Sequence, residues 1–199
     1  VSKLGDVELG RSLFQESVEV ARGIEKSSYR SETLRSIGES VSKLGDVDLG
    51  RSLFLEAIEI SYLIKNFYLR SSYLGSIGES VSKLGDVDLG RSLFLNALEI
   101  AYAIINTNEF SRCRALCNIV ISICKLQNVD IGHNLFPLLV NVVASKIVYP
   151  KFRSISLSSL GESVINLNEK VITNQLLPQI IELSSQLNRS EEHTSELQS

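Results

Sequence analysis

The residues best suited to chemistry in this sequence are three cysteines, a histidine and a set of recurring charges. Cys113, Cys117 and Cys124 stand at offsets of 4 and 11, so on a helix they share one face. With His133 they could be drawn as a metal site. Structural zinc sites, however, take close Cys or His pairs from a turn, not a stripe along a helix. Cys117 and Cys124 also stand where an earlier copy of the same pattern has Gly75 and Ser82. The preferred reading is small, partly buried side chains, with no metal and no other cofactor. His133 fills the slot held elsewhere by Arg11, Arg51 and Arg91, which is expected to face solvent. It has no Ser, Cys or carboxylate partner in a triad-like constellation. No isolated acid pair suggests a glycosidase, and the glycines do not form a phosphate-cradling loop. The chain is therefore expected not to be an enzyme.

Arginine is the most regular polar feature. Arg30, Arg70, Arg112 and Arg153 open the segments RSETLRSI, RSSYLGSI, RCRALCNI and RSISLSSL, at steps of 40, 42 and 41 residues. If each Arg stands at a helix start, the four form a ladder. One reading gives each Arg the terminal carbonyls of the preceding helix. The other makes the row a track for anions or acidic peptides. Position favours the first.

These residues must be held by elements, and a second motif defines them. SKLGDVELGRSLF at 2–14 returns as SKLGDVDLGRSLF at 42–54 and 82–94, 40 residues apart each time. Weaker copies are KLQNVDIGHNLF at 125–136 and NLNEKVITNQLL at 166–177. A fixed period of this length signals stacked supersecondary units. In the second unit, Ser31 is expected to cap a helix carrying Leu34, Ile37, Val41 and Leu44 on one stripe. Gly45 then suits a left-handed helix end, and Asp46 can cap the next helix. That helix carries Val47, Gly50, Leu53, Phe54, Ala57, Ile58 and Ser61 on its stripe. Gly50 lowers helix propensity by about 1 kcal/mol relative to Ala. Its recurrence as Gly10, Gly90 and Gly132 predicts the close approach of a neighbouring helix. Pro137 and Pro178 occupy equivalent places in second helices and predict kinks or late starts. Residue 149, before Pro150, should be extended.

The intervals Leu34, Ile37-Gly38, Val41, Gly45-Asp46, Gly50, Phe54 and Ala57 resemble the tetratricopeptide repeat. Leu74, Ile77-Gly78, Val81, Gly85-Asp86, Gly90, Phe94 and Ala97 repeat them. The period of 40–42 is longer than the usual 34 or so. Repeats resembling those of kinesin light chain have a similar length. The resemblance implies an all-α fold, a right-handed α-solenoid of antiparallel helix pairs. Units are expected at about 1–29 (cut at its start), 30–69, 70–111, 112–152 and 153–188, all in one repeat domain that is a fragment of a longer array.

The resemblance also places the first helices on a concave groove. Glu32, Arg35, Glu39 and Lys43, then Ser72, Glu79 and Lys83, become partner-binding candidates for a protein or peptide. Glu39–Lys43 and Glu79–Lys83 have helical ion-pair spacing, worth roughly 0.3 kcal/mol each on an exposed face. The expected function is a protein–protein interaction scaffold. A regulatory or sensor array attached to an enzyme outside this stretch is the alternative, and RNA binding is a weaker one.

Residues 189–199 (RSEEHTSELQS) match nothing upstream and resemble a translated sequencing adapter. They are expected to be a non-native tail, either disordered or an extension of the last helix. The whole chain has a net charge of −3. Without the tail's one Arg and three Glu, 19 basic and 20 acidic residues remain. Such a balance gives no bulk drive toward nucleic acid or anionic membrane. No apolar run is long enough to span a bilayer. Three cysteines within one repeat favour a reducing compartment, so a cytoplasmic location is expected. Oligomeric state leaves no trace in the sequence.

Overall fold

The computed structural model describes residues 3–104 and 109–196. Among these, all regular structure is helical. The helices are α1 (Lys3–Arg22), α2 (Ser27–Lys43), α3 (Val47–Tyr62), α4 (Phe67–Lys83), α5 (Val87–Tyr102), α6 (Glu109–Cys124), α7 (Val129–Lys146), α8 (Pro150–Asn166) and α9 (Lys170–Glu196). Sequence neighbours pack in pairs, the local arrangement of an all-α, solenoid-like fold. The chain divides into two compact units, Val1–Ala97 and Leu98–Ser199.

In the first unit α2 lies against α1, α3 and α4. Leu34 and Val41 of α2 meet Leu53, Phe54 and Ala57 of α3 in a closed core, with Leu74, Ile77 and Val81 from α4 and Leu93, Phe94 and Ala97 from α5. Each fully buried large side chain stabilises by about 1.5–3 kcal/mol. The turns follow from two residues each. Gly45 (φ +101°) and Gly85 (φ +92°) take the left-handed conformation that lacks a Cβ penalty. Asp46 Oδ1 then accepts from the Leu49 amide at 3.2 Å, and Asp86 Oδ1 from Leu89 at 3.3 Å.

In the second unit α6 packs on α7 and α8, and α9 on α7 and α8. Gln127 (φ 46°) and Asn168 (φ 50°) stand in the glycine place without being glycine. Asn128 caps α7 through Ile131 N (3.0 Å), and Glu169 caps α9 through Ile172 N (2.9 Å). The turn survives in the drifted copies because the cap acceptor is kept. Tyr149 is extended (φ −75°, ψ 120°) ahead of Pro150 at the start of α8.

Several local expectations are corrected. Ser31 is not a cap. α2 begins at Ser27, and Ser31 is buried inside it, donating to the Ala57 carbonyl at 3.0 Å and lying 2.7 Å from Ser61 Oγ. A short hydroxyl is wanted there to join two helices. Leu44 leaves the core stripe, 74% exposed, because α2 ends one residue before it. Val47 is exposed and Ile60 is buried. Neither proline delays its helix. Pro137 and Pro178 are each the ninth residue of a helix that runs on through them. Buried residues on both sides of Pro137, including Phe136 and Leu139, hold α7 despite the missing amide. α9 continues without a break into residues 189–196.

The glycine expectation divides the copies. A Cβ on Gly50 would lie 2.9 Å from the Gly38 carbonyl and 3.1 Å from Ser42 Cβ, and would collide with Ser42 Oγ. Gly90 meets Gly78 and Ser82 in the same way. At Gly132 the nearest atom is the Leu167 methyl, at 2.7 Å. Gly10 is different, with nothing within 4 Å. At Gly50 and Gly90 the close approach is to the helix's own first helix, whereas at Gly132 it is to Leu167 at the end of α8.

Candidate functional site

The predicted partner residues fall on α2 and α4, whose facing sides are joined by a polar network. Arg35 lies between two acids of its own helix, with Nη2 donating to Glu32 Oε1 at 2.6 Å and Nη1 to Glu39 Oε1 at 2.5 Å. Nη1 also reaches Ser80 Oγ of α4 at 3.3 Å, and Ser80 donates to Glu39 Oε1 at 2.5 Å. The Arg35 side chain is 16% exposed, whereas Glu32 and Glu39 are 39% and 31% exposed. Burial lowers the Arg35 pKa, but the two carboxylates outweigh it and hold the guanidinium above its usual value. Glu39 is thus taken by Arg35 and Ser80, not by Lys43 as its spacing suggested. Lys43 makes no ion pair among the described residues. Glu79 and Lys83 do pair, at 2.5 Å.

Toward the C-terminal ends of these helices, Glu39, Ser42, Lys43, Ser80, Lys83 and Leu84 line a cavity of about 200 Å³, with Phe54 beneath. Toward the N-terminal ends stands Tyr73. Its pKa is raised, first by burial, then by the charge of Glu32 and by Tyr29 and Tyr68. Lys26 Nζ sits 4.4 Å from the centroid of the exposed Tyr29 ring. Ser72 Oγ is buried and makes no hydrogen bond. Ser80 and Tyr73 were missed in the sequence. Ser80 was hidden because Ser40, its counterpart, is exposed and only bonds back to Ser36.

The arginines share one place, the fourth residue of α2, α4, α6 and α8. Nε of Arg30 donates to the Ile24 carbonyl at 2.6 Å, that of Arg70 to Ile64 at 2.8 Å, and that of Arg153 to Ile147 at 2.8 Å. Arg153 also reaches the Ala144 carbonyl at 3.2 Å. Each therefore ties a helix start to the end of the previous helix. Arg112 instead holds Glu109 at 2.8 Å, and its Nε is buried without a partner.

Cys113, Cys117 and Cys124 are free and buried. Burial raises the Cys117 thiol and pushes Cys124 up to about 12, so both stay protonated at neutral pH. No group of His, Cys, Asp and Glu among the described residues could hold a metal ion. His133 of α7 is half-exposed, 3.7 Å from Glu169, the residue that caps α9. Arg51 uses the same slot to pair with Asp86, also a cap. At Arg51 and His133 the slot links consecutive copies, whereas Arg91 pairs with Asp88 of its own helix at 2.7 Å.

No family profile and no curated protein matches this chain. Among solved structures it is similar to "Crystal structure of BtubC (BKLC) from P. vanneervenii", at 13% sequence identity and a TM-score of 0.46, over 94% of this chain and 76% of that one. At that TM-score the likeness carries no argument about activity or partner. No described helix is long and apolar enough to cross a membrane.

Proposed function

We propose that the chain is a non-catalytic interaction module, built of tetratricopeptide-like units, whose α2 and α4 receive an extended peptide or a segment of a partner protein. The observation that carries this reading is the α2–α4 network, in which Arg35 and Ser80 fix Glu32 and Glu39 in place while leaving both carboxylates partly open. Charges held before binding reduce the ordering cost of recognition. The surface has direction. Glu32 lies with Tyr73 and Tyr29 toward one end, and Lys43 and Lys83 flank the cavity at the other. A peptide with a basic side chain at one end and a carboxylate at the other fits that polarity.

The test is selection from a displayed library of extended peptides. Enriched sequences should pair a basic with an acidic residue. Glu32→Gln should weaken binding of the selected peptide at least roughly fivefold, about 1 kcal/mol, and Lys43→Gln should act at the peptide's acidic end. Failure to enrich any sequence, or affinity indifferent to both substitutions, speaks against this surface.

A further inference from the structure

Both first helices of the first unit begin with an exposed ring under a cation. Arg70 stands over the Phe67 ring of α4, 5.3 Å from its centroid, and Lys26 over the Tyr29 ring of α2, at 4.4 Å. The two cations differ in what else they hold. Arg70 Nε also donates to the Ile64 carbonyl at 2.8 Å, so the backbone sets its place. The Lys26 ammonium has no hydrogen bond and no ion pair among the described residues, and lies on the ring alone. Lys26 also stands at the N-cap of α2 without capping it, whereas its counterpart Asn66 caps α4 through Leu69 N at 3.0 Å.

Glu32, one turn along α2 from Tyr29, supplies the acid. Both its oxygens face Arg35, Oε1 to Nη2 at 2.6 Å and Oε2 to Nε at 3.2 Å, yet the side chain stays partly exposed. Arg35 is shared with Glu39, so the three groups together keep a negative charge. Tyr73 of α4 completes the cluster. Burial raises its hydroxyl first, and Glu32, Tyr29 and Tyr68 raise it further, which places the four groups near one another.

We propose that Tyr29, Glu32 and Tyr73 form a receptor for a lysine side chain of the partner, and that Lys26 is the internal cation this side chain displaces from the Tyr29 ring. The receptor is part of the surface proposed above and rests on that reading for the segment that carries the lysine. Charge complementarity selects the occupant. A ring face and a residual negative charge both favour a cation. A guanidinium binds a carboxylate best through two parallel bonds, and Arg35 already takes that edge of Glu32. An ammonium is a point charge and needs only one remaining lone pair. Lys26 shows that an ammonium fits the ring face.

N-acetyl-lysine methylamide, titrated into the full chain and followed by the NMR shifts of the Tyr29 and Tyr73 ring protons, tests the receptor. Saturable shifts are expected, with the arginine analogue at least about threefold weaker and the uncharged norleucine analogue silent. Lys26→Asn should tighten lysine binding at least about twofold, by vacating the ring and supplying the cap that Asn66 supplies to α4. Tyr29→Leu, at an exposed position, should weaken it at least about threefold with thermal unfolding unchanged. No shifts, arginine bound as tightly as lysine, or affinity indifferent to Lys26→Asn and to Tyr29→Leu overturns the receptor. Selected peptides without a lysine preference, together with a silent probe, remove the receptor and keep the peptide surface. Ring shifts with the lysine probe and no selected peptide keep the receptor and remove the peptide surface.

Discussion

At the scale of single residues, burial decides what each reactive group can do. The shared face of Cys113, Cys117 and Cys124 is legible from their spacing, and so is their reading as small buried residues. The extent of the burial that keeps Cys117 and Cys124 protonated is not, because it is made by helices packed over them. Cys124 is held near 12 against an ordinary value of 9.0. Below pH 9 the thiol is protonated in both folded and unfolded chains, so it exerts no pH dependence. Above pH 9 the unfolded chain releases this proton and the folded chain retains it. Stability then falls as pH rises toward 12, by up to about 1.4 kcal/mol per pH unit. Urea unfolding at pH 8 and pH 10 should show a larger loss for the parent than for Cys124→Ala, by roughly 1 kcal/mol. Equal losses would place the thiol in a wetter setting. The raised tyrosines Tyr73 and Tyr102 act in the same direction in both proteins and cancel in the comparison. Arg35→Ala should cost about 1–2 kcal/mol, since it leaves Glu32 and Glu39 facing each other without their shared donor. Raising the salt concentration should shrink that cost.

At the scale of elements, helix-turn-helix pairs are legible wherever Gly-Asp marks the turn. The turns at Gln127-Asn128 and Asn168-Glu169 are legible only by register, because the left-handed residue is no longer glycine. That difference has a measurable size. Gln127→Gly should stabilise the protein by about 1 kcal/mol, by relieving a left-handed conformation in a residue with a long side chain. Asn168→Gly should gain less, since asparagine tolerates that region. Thermal unfolding of the two variants checks the order, and a loss at Gln127→Gly would show that its side chain makes a compensating contact. Helix starts were misplaced in the sequence for a related reason. Ser31 has the right residue type for a cap, but its value lies in bonding Ala57 across the core, which only tertiary packing reveals. Replacing the true cap, Asp46→Ala, should cost about 1 kcal/mol in the same assay.

At the scale of the molecule, repetition makes the helix pairs legible and conceals the partner. The stretch that repeats best, SKLGDVDLGRSLF, is consumed by turn geometry and by packing of Gly, Leu and Phe. Of the residues proposed to recognise a ligand, Glu39 and Lys43 repeat as Glu79 and Lys83, while Glu32 and Arg35 become Ser72 and Gly75. The meeting of Arg35 and Glu39 with Ser80 across α2 and α4 cannot be read from spacing along one helix. Stability in such an architecture is close to a sum over neighbouring pairs. The same substitution can therefore change sign between copies according to what packs on it. The central claim is that a second helix needs its glycine only where a first helix closes on it. Alanine at each equivalent glycine, followed by urea unfolding, tests this most directly. Gly50→Ala and Gly90→Ala should each cost about 1–3 kcal/mol, because the added methyl meets a backbone carbonyl and a serine. Gly10→Ala should instead stabilise by up to about 1 kcal/mol, since the methyl meets nothing and helix propensity improves. Three changes of the same sign and size would contradict the account.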